Sequence, residues 1–302
     1  MIEDGATQPE APLPSQLDTT EESLGALLRR YGLHARKALG QHFLSDPRLL
    51  DKIVAAAELP PEANVLEVGA GPGLLTRRLA AVARRVVAIE LDDRLVALLR
   101  HELAHLPNVT IVHGDILRLD VPALIDAPYA VVANLPYYIT SAVLRQLLQC
   151  APPPFRLVLT VQREVAQRIV APPGQLSLLA VSVQFYGRPR IVTRIPAGAF
   201  VPPPQVDSAV LRIDTYERPP VDVPSPQDFF RVVRAGFGQR RKQLHNTLSA
   251  GLGLSAEQVS ALLSAAGIAP ARRAETLSLA EWAALTRALA ELHSCKVARV
   301  GD

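Results

Sequence analysis

Cysteine is nearly absent from this sequence. Its 302 residues include two, Cys150 and Cys295, too few for a disulfide framework or a cysteine-rich metal site and in keeping with a reducing, cytoplasmic setting. The seven histidines show no metal-ligand spacing, so no metal is expected. No apolar run approaches the roughly 18 residues that a membrane-spanning helix needs, which excludes a transmembrane protein. The opening MIEDGATQPEAPLP lacks the basic-then-apolar pattern of a secretory signal and is acidic, unlike an organelle transit peptide. Lysine and arginine are missing from the first 28 residues, which hold six acids: Glu3, Asp4, Glu10, Asp18, Glu21 and Glu22. Rich in Pro, Glu and Thr, with few large apolar residues to bury, residues 1–28 are expected to form a disordered acidic leader.

Setting the leader apart changes the charge balance. Six of the 29 acids fall within it, leaving 23 against 32 basic residues, so residues 29–302 carry a net +9. A basic body suits a polyanionic partner without demanding one, because net charge governs association and not fold. At this length the chain makes one large domain or two ordinary ones, and it can close a core without disulfides or metal.

From residue 45 onward short apolar runs alternate with helical patterns. Ser45-Asp46-Pro47 reads as a helix cap, with Leu49, Leu50, Ile53 and Val54 on one face. Strands are predicted at 64–68, 85–90, 109–113, 129–133 and 155–161. Helices are predicted at 74–83, 92–105, 140–149 and 163–170. This alternation argues for a parallel sheet with helices on both faces. Two later strands, 190–195 and 208–213, sit close enough in sequence to pair antiparallel at the sheet edge. Four prolines between 217 and 226 mark a linker. Beyond it the periodicity is helical throughout, at 228–235, 240–250, 256–266 and 279–292. The expected organisation is an α/β domain over 29–216 and a small helical domain over 226–293.

The first strand runs into Glu67-Val-Gly69-Ala-Gly71-Pro-Gly73-Leu74. Glycines at this turn let a ligand approach the backbone closely, where open α/β sheets bind ligands. A dinucleotide fingerprint would need glycine at position 74, and Pro72 tightens the loop further, so hydride transfer is disfavoured. Glu90, at the end of the second strand and 21 residues after Gly69, is placed to accept from ribose hydroxyls. Asp115, after the third strand, is placed to accept from an adenine amine. Together they point to an adenosine-bearing cofactor, with S-adenosylmethionine a better fit than NAD.

The fourth strand ends in Asn134-Leu135-Pro136-Tyr137. An exocyclic base amine is a poor nucleophile because its lone pair is delocalised into the ring. A side-chain amide oxygen (Asn134) and a neighbouring carbonyl (Leu135) can accept its two N–H bonds and favour the tetrahedral form. Pro136 fixes the local φ, and Tyr137 offers a ring on which a base can stack. Cys150 reads as an apolar filler and Trp282 as core.

Gly40-Gln-His-Phe-Leu44, the 67–73 loop, Asn134–Tyr137 and Phe200-Val-Pro-Pro-Pro-Gln-Val-Asp-Ser-Ala-Val210 together resemble the ribosomal RNA adenine N6-dimethyltransferases. The segment Phe237–Leu248 resembles the bacterial small-subunit type. The resemblance spans about 33–291. It implies a Rossmann-like S-adenosylmethionine-dependent methyltransferase domain followed by a small C-terminal all-helical domain. It further implies cofactor contacts at His42, Leu44, Gly69, Glu90, Asp115 and Asn134. The target amine would be held by Asn134, Leu135 and Tyr137 around Pro136, with Phe200 on the adenine's other face. Four methyl transfers would then yield two adjacent N6,N6-dimethyladenosines near the 3′ end of 16S RNA, a step of ribosome biogenesis. The partner would be that RNA within the small subunit or its precursor, with the protein a monomer. His42 and Tyr138 depart from the family pattern, where asparagine is commoner at both positions. Arg231, Arg234, Arg240, Arg241 and Lys242 form a basic run without an acid, expected to position RNA phosphates. Arg29, Arg30, Arg36 and Lys37 form a second basic cluster, expected as a lip over the cofactor. Two alternatives stay open, a large-subunit (23S) methylase of the macrolide-resistance type and a non-catalytic assembly factor.

Overall fold

A helix begins inside the stretch expected as a disordered leader. In the computed structural model, which describes residues 23–239 and 241–300, Leu24–Arg30 forms a helix, α1, capped by the Ser23 hydroxyl accepting from the Ala26 N–H at 3.3 Å. The reason is local: Ser23 supplies the N-cap, and Gly32, at φ +62°, turns the chain out of the helix. Residues 1–22 of the expected leader lie outside the described residues. By its internal contacts the chain divides into residues 1–34 and residues 35–302.

Within the second unit the elements follow in order: β1 (Phe43–Leu44), α2 (Pro47–Ala57), β2 (Asn64–Val68), α3 (Leu74–Ala80), β3 (Arg85–Glu90), α4 (Asp93–Glu102), β4 (Val109–His113), β5 (Tyr129–Asn134), α5 (Thr140–Leu148), β6 (Arg156–Gln162), α6 (Arg163–Ile169), α7 (Leu178–Tyr186), β7 (Gly187–Ile195), β8 (Phe200–Val201), β9 (Ser208–Thr215), α8 (Pro226–Gly236), α9 (Leu244–Leu252), α10 (Ala256–Ala265) and α11 (Leu279–Val300). Seven strands make one sheet in the order β4-β3-β2-β5-β6-β9-β7. Its first five are parallel, and β9 runs antiparallel to both β6 and β7. The two late strands do pair antiparallel at the edge, with the later of them inserted inside the earlier.

Alternation along the strands divides the core into layers. Val65, Val86, Val132 and Val158 meet Leu50 and Ile53 of α2 and Leu75 and Leu79 of α3. Leu66, Val87, Val131 and Leu157 face the other way, toward Val143, Leu144 and Leu147 of α5 and Ile169 of α6. A third core holds the C-terminal helices together around Phe229, Trp282 and Leu248, and α7 contributes Ala180, Val181 and Phe185 to it. The sequence pattern does not predict α7. Helix α8 starts two residues before the expected 228, since Pro226 opens it under a Ser225 cap.

Candidate active site

Chain order reverses between β2 and β5: β3 and β4 follow on one side, β6 on the other. Ligands bind open sheets at such a switch point, beyond the carboxyl ends of the strands. A pocket opens there. Its walls include Gly69 and Gly71 after β2, Glu90 at the end of β3, Asp115 after β4, Asn134 at the end of β5 and Leu135–Tyr137 beyond it, with Tyr138 at the outer edge. The segment Leu39–Phe43 and Phe200 complete it. Topology thus gathers His42, Gly69, Glu90, Asp115, Asn134, Leu135, Pro136, Tyr137 and Phe200, scattered over some 160 positions of sequence. Leu44, expected at the cofactor, stands apart from them: paired with Phe200 across β1 and β8, it turns its side chain into the core beside Val65 and Val132.

The cofactor half is built from backbone and carboxylates. Gly69 and Gly71 adopt φ of +75° and +58°, a region that L side chains avoid. A Cβ on Gly71 would also stand 3.2 Å from the Phe43 ring, so a side chain there would crowd the pocket wall. Glu90 Oε2 accepts from the Gly71 N–H at 2.8 Å, and Oε1 accepts from the Leu91 and Asp92 N–H groups at 2.8 and 2.9 Å. Burial pushes this carboxyl up, against the pull of those three N–H bonds. A carboxylate has about four acceptor positions and three are taken here, so one on Oε2 stays open, fewer than a pair of ribose hydroxyls would use. Its other task is to hold the glycine loop against β3. Two carboxylates, Glu90 and Asp115, and no lysine or arginine line the pocket among the described residues. A pyrophosphate would meet no side-chain cation here, whereas the sulfonium and ammonium of S-adenosylmethionine suit the donor set.

In the reacting half, orientation is decided by one hydrogen bond. Asn134 Nδ2 lies 3.0 Å from the His42 carbonyl oxygen. A carbonyl only accepts, so the amide nitrogen must be the atom facing it. Asn134 Oδ1 is left without a partner among the described residues, as is the Leu135 carbonyl. Those are the two acceptors that an amine needs. Tyr137 is fixed by a 2.7 Å hydrogen bond between its hydroxyl and Ser208 Oγ, and burial pushes its phenol up, so the ring stays neutral. His42 stacks nearly parallel to it, centroids 6.1 Å apart at 19°. His42 Nδ1 is 2.8 Å from the Pro202 carbonyl, and because a carbonyl only accepts, Nδ1 carries a proton there. Phe200 reaches the pocket wall but is 2% exposed, packed in the core.

Two buried carboxylates behind the pocket are not evident from the sequence. Asp92, buried at the start of α4, accepts from Gln41 Nε2 at 3.0 Å and from Arg94 Nη2 at 2.8 Å, and Arg36 lies 3.5 Å away. The Arg94 hydrogen bonds hold its carboxyl well below the usual range. Asp92 therefore ties the segment carrying Gln41 and His42 to the helix behind the pocket. The only signal in the sequence is its helix-cap position. Glu67, in β2, is fully buried with neither carboxyl oxygen in a well-formed hydrogen bond, and burial pushes it up to about 8 against the pull of the Thr76 hydroxyl, with Glu90 adding to the shift.

Of the basic run, Arg231 and Arg234 are exposed on α8, and Arg241 and Lys242 are exposed between α8 and α9. None of the four makes an ion pair among the described residues, and Arg240 lies outside them. Arg36, expected in the second cluster, is instead engaged by Asp92 and Asp93.

The model of the family "Ribosomal RNA adenine dimethylase" matches residues 32–291. A ribosomal RNA small subunit methyltransferase A from Dehalococcoides mccartyi is 50% identical over 258 residues, covering 85% of this chain and 89% of that protein. The same-named protein of Geobacillus kaustophilus is 43% identical over 277 residues, covering 88% and 94%. Among solved structures, a 23S rRNA methyltransferase superposes with a TM-score of 0.67 at 31% identity, covering 82% of this chain and 99% of that one. A dimethyladenosine transferase from Plasmodium falciparum reaches 0.68 at 23% identity, covering 84% and 98%, and shares the fold. A family match across most of the chain, joined to relatives at up to half identity, has one meaning: this chain belongs to the ribosomal RNA adenine dimethylase family.

Proposed function

We propose that this protein transfers methyl groups from S-adenosylmethionine to the N6 amines of two adjacent adenines near the 3′ end of 16S RNA, in the cytoplasm, as a monomer acting on the small subunit or its precursor. The observation that carries the chemistry is the pair of unpartnered acceptors, Asn134 Oδ1 and the Leu135 carbonyl, at the end of β5. The cofactor would be held by the glycine loop, Glu90 and Asp115, and supplies a methyl group activated on a sulfonium. Asn134 and Leu135 accept the amine's N–H bonds and localise its lone pair. Tyr137 supports the ring face, and the adenine reaches them by leaving its stack. No side chain needs to remove a proton beforehand, because it leaves after transfer. The small-subunit target is supported by relatives of that name at 43–50% identity. The helical part, 226–293, is proposed to hold the RNA through Arg231, Arg234, Arg240, Arg241 and Lys242.

The 31% identity to a 23S rRNA methyltransferase keeps one rival specific. Incubation with methyl-labelled S-adenosylmethionine and, separately, unmethylated small subunits, large subunits and protein-free RNA distinguishes them. Dimethyladenosine in small-subunit RNA is the expected product. Label confined to large-subunit RNA would transfer the proposal to that rival. Binding to small subunits without any label would favour the non-catalytic assembly factor.

A further inference from the structure

Tyr138 is the most exposed large apolar residue among those described, at 64%, with the others between 37% and 46%. It stands at the pocket's edge in the single turn 137–139, which anchors Tyr137 inward on Ser208 and leaves Tyr138 outside. The ring is braced. Gly40, at φ +60°, lies against it so closely that a Cβ there would be 3.3 Å from both Cδ1 and Cε1. The Gly40 backbone thus lies against one edge of the ring, while most of the residue stays open to solvent. Lys37, in the same turn as Gly40, is exposed and makes no ion pair among the described residues.

We infer that Tyr138 is a stacking subsite for the RNA base flanking the target adenine. The inference rests on the methyltransferase reading above and adds a second base-binding position to it. A nucleotide drawn into the pocket keeps its neighbours tethered by one phosphodiester on either side, so they must cross the rim. Where two adjacent adenines are both substrates, the waiting base is at the rim while its neighbour is inside. An aromatic face accepts any base, and Lys37 is placed to meet the intervening phosphate. The subsite therefore favours bound RNA without choosing its sequence.

The test uses small subunits assembled with 2-aminopurine in place of the base adjacent to a target adenine, mixed with the full-length protein without cofactor. Stacking on Tyr138 quenches the fluorophore with the wild type and with Tyr138→Phe. Tyr138→Ala should lose the quench and bind about fivefold or more weakly, with its thermal midpoint and its affinity for S-adenosylmethionine unchanged. Wild-type quenching and affinity in Tyr138→Ala would overturn the inference. So would a matching loss of cofactor affinity, which would make Tyr138 part of the pocket wall. A wild-type protein that neither binds nor methylates small subunits would sink the parent reading and this subsite with it.

Discussion

Asn134 is held by a bond that the proposed reaction does not use. Its Nδ2 is spent on the His42 carbonyl, so Oδ1 is pre-aimed and loses little freedom when an amine arrives. Asn134→Ala should therefore lower transfer by about 10²-fold or more while cofactor and RNA affinities stay near wild type, read by single-turnover labelling beside calorimetric binding. An equal fall in binding would make the residue structural. Glu67 predicts differently. Its folded pKa, about 8, lies above the ordinary value of 4.5. Its contribution to stability is complete below pH 4.5 and declines as pH rises toward 8. Glu67→Gln should then gain on the wild type between pH 5 and 8, by an amount on the order of a few kcal/mol, in denaturant melts across that range. Parallel pH curves would refute the buried neutral carboxyl. At this scale the sequence exposes residues whose place follows from topology. Glu90, Asp115 and Asn134 each stand at or just after a strand's carboxyl end, and a strand end is visible in the pattern. The burial of Glu67 and the Gln41–Asp92 bond depend on packing between segments far apart in sequence, and leave no local trace.

A strand is legible as a short apolar run between turn residues, and a helix where one of its faces is polar. Strands β2, β3 and β4 fall where the apolar runs put them, residue for residue. Helix α7 does not, because Leu-Leu-Ala-Val-Ser-Val-Gln-Phe-Tyr has almost no polar face. It is wedged between two cores, giving Val183 to the sheet and Phe185 to the C-terminal helices, and a helix buried on opposite sides shows no 3.6-residue period. The two-residue strands β1 and β8 are too short to carry any pattern. Capping chemistry, by contrast, can be tested element by element. At the start of α11, Ser278 Oγ accepts from the Glu281 N–H at 3.2 Å and Glu281 Oε2 accepts from the Ser278 N–H at 2.8 Å. Arg272 hydrogen-bonds the same carboxylate and holds it down at about 2. With its folded pKa depressed, Glu281 stabilises above the ordinary 4.5 and loses that contribution as pH falls toward 2. Discounted for the third of the side chain open to solvent, the contribution is about 1–2 kcal/mol. Glu281→Gln should lower the melting midpoint at pH 7 and flatten its decline between pH 4.5 and 2. A midpoint unchanged at pH 7 would mean that the ion pair adds nothing to the cap.

Over the whole molecule, charge is sorted by task. The pocket offers carboxylates to a cationic cofactor, while Arg231, Arg234, Arg241 and Lys242 stand away from it, exposed on α8 and in the turn that follows. This sorting separates two affinities that a uniformly basic protein would entangle. Binding RNA should depend steeply on salt, because each neutralised phosphate releases condensed counterions. Cofactor binding should depend on it little. Replacing Arg231, Arg234, Arg241 and Lys242 by Gln removes four of these cations without touching the pocket. The slope of log affinity for small subunits against log salt should then flatten by about 0.7–0.9 for every phosphate that is no longer neutralised. The weakening should be largest at low salt, and affinity for S-adenosylmethionine should not move. The Asn134 variant makes the opposite pattern, with transfer gone and salt slope intact, so the two together test whether recognition and chemistry are separable in this fold. A quadruple variant with the wild-type slope would remove α8 and its turn from the RNA surface and leave the +9 body to act through cations placed elsewhere.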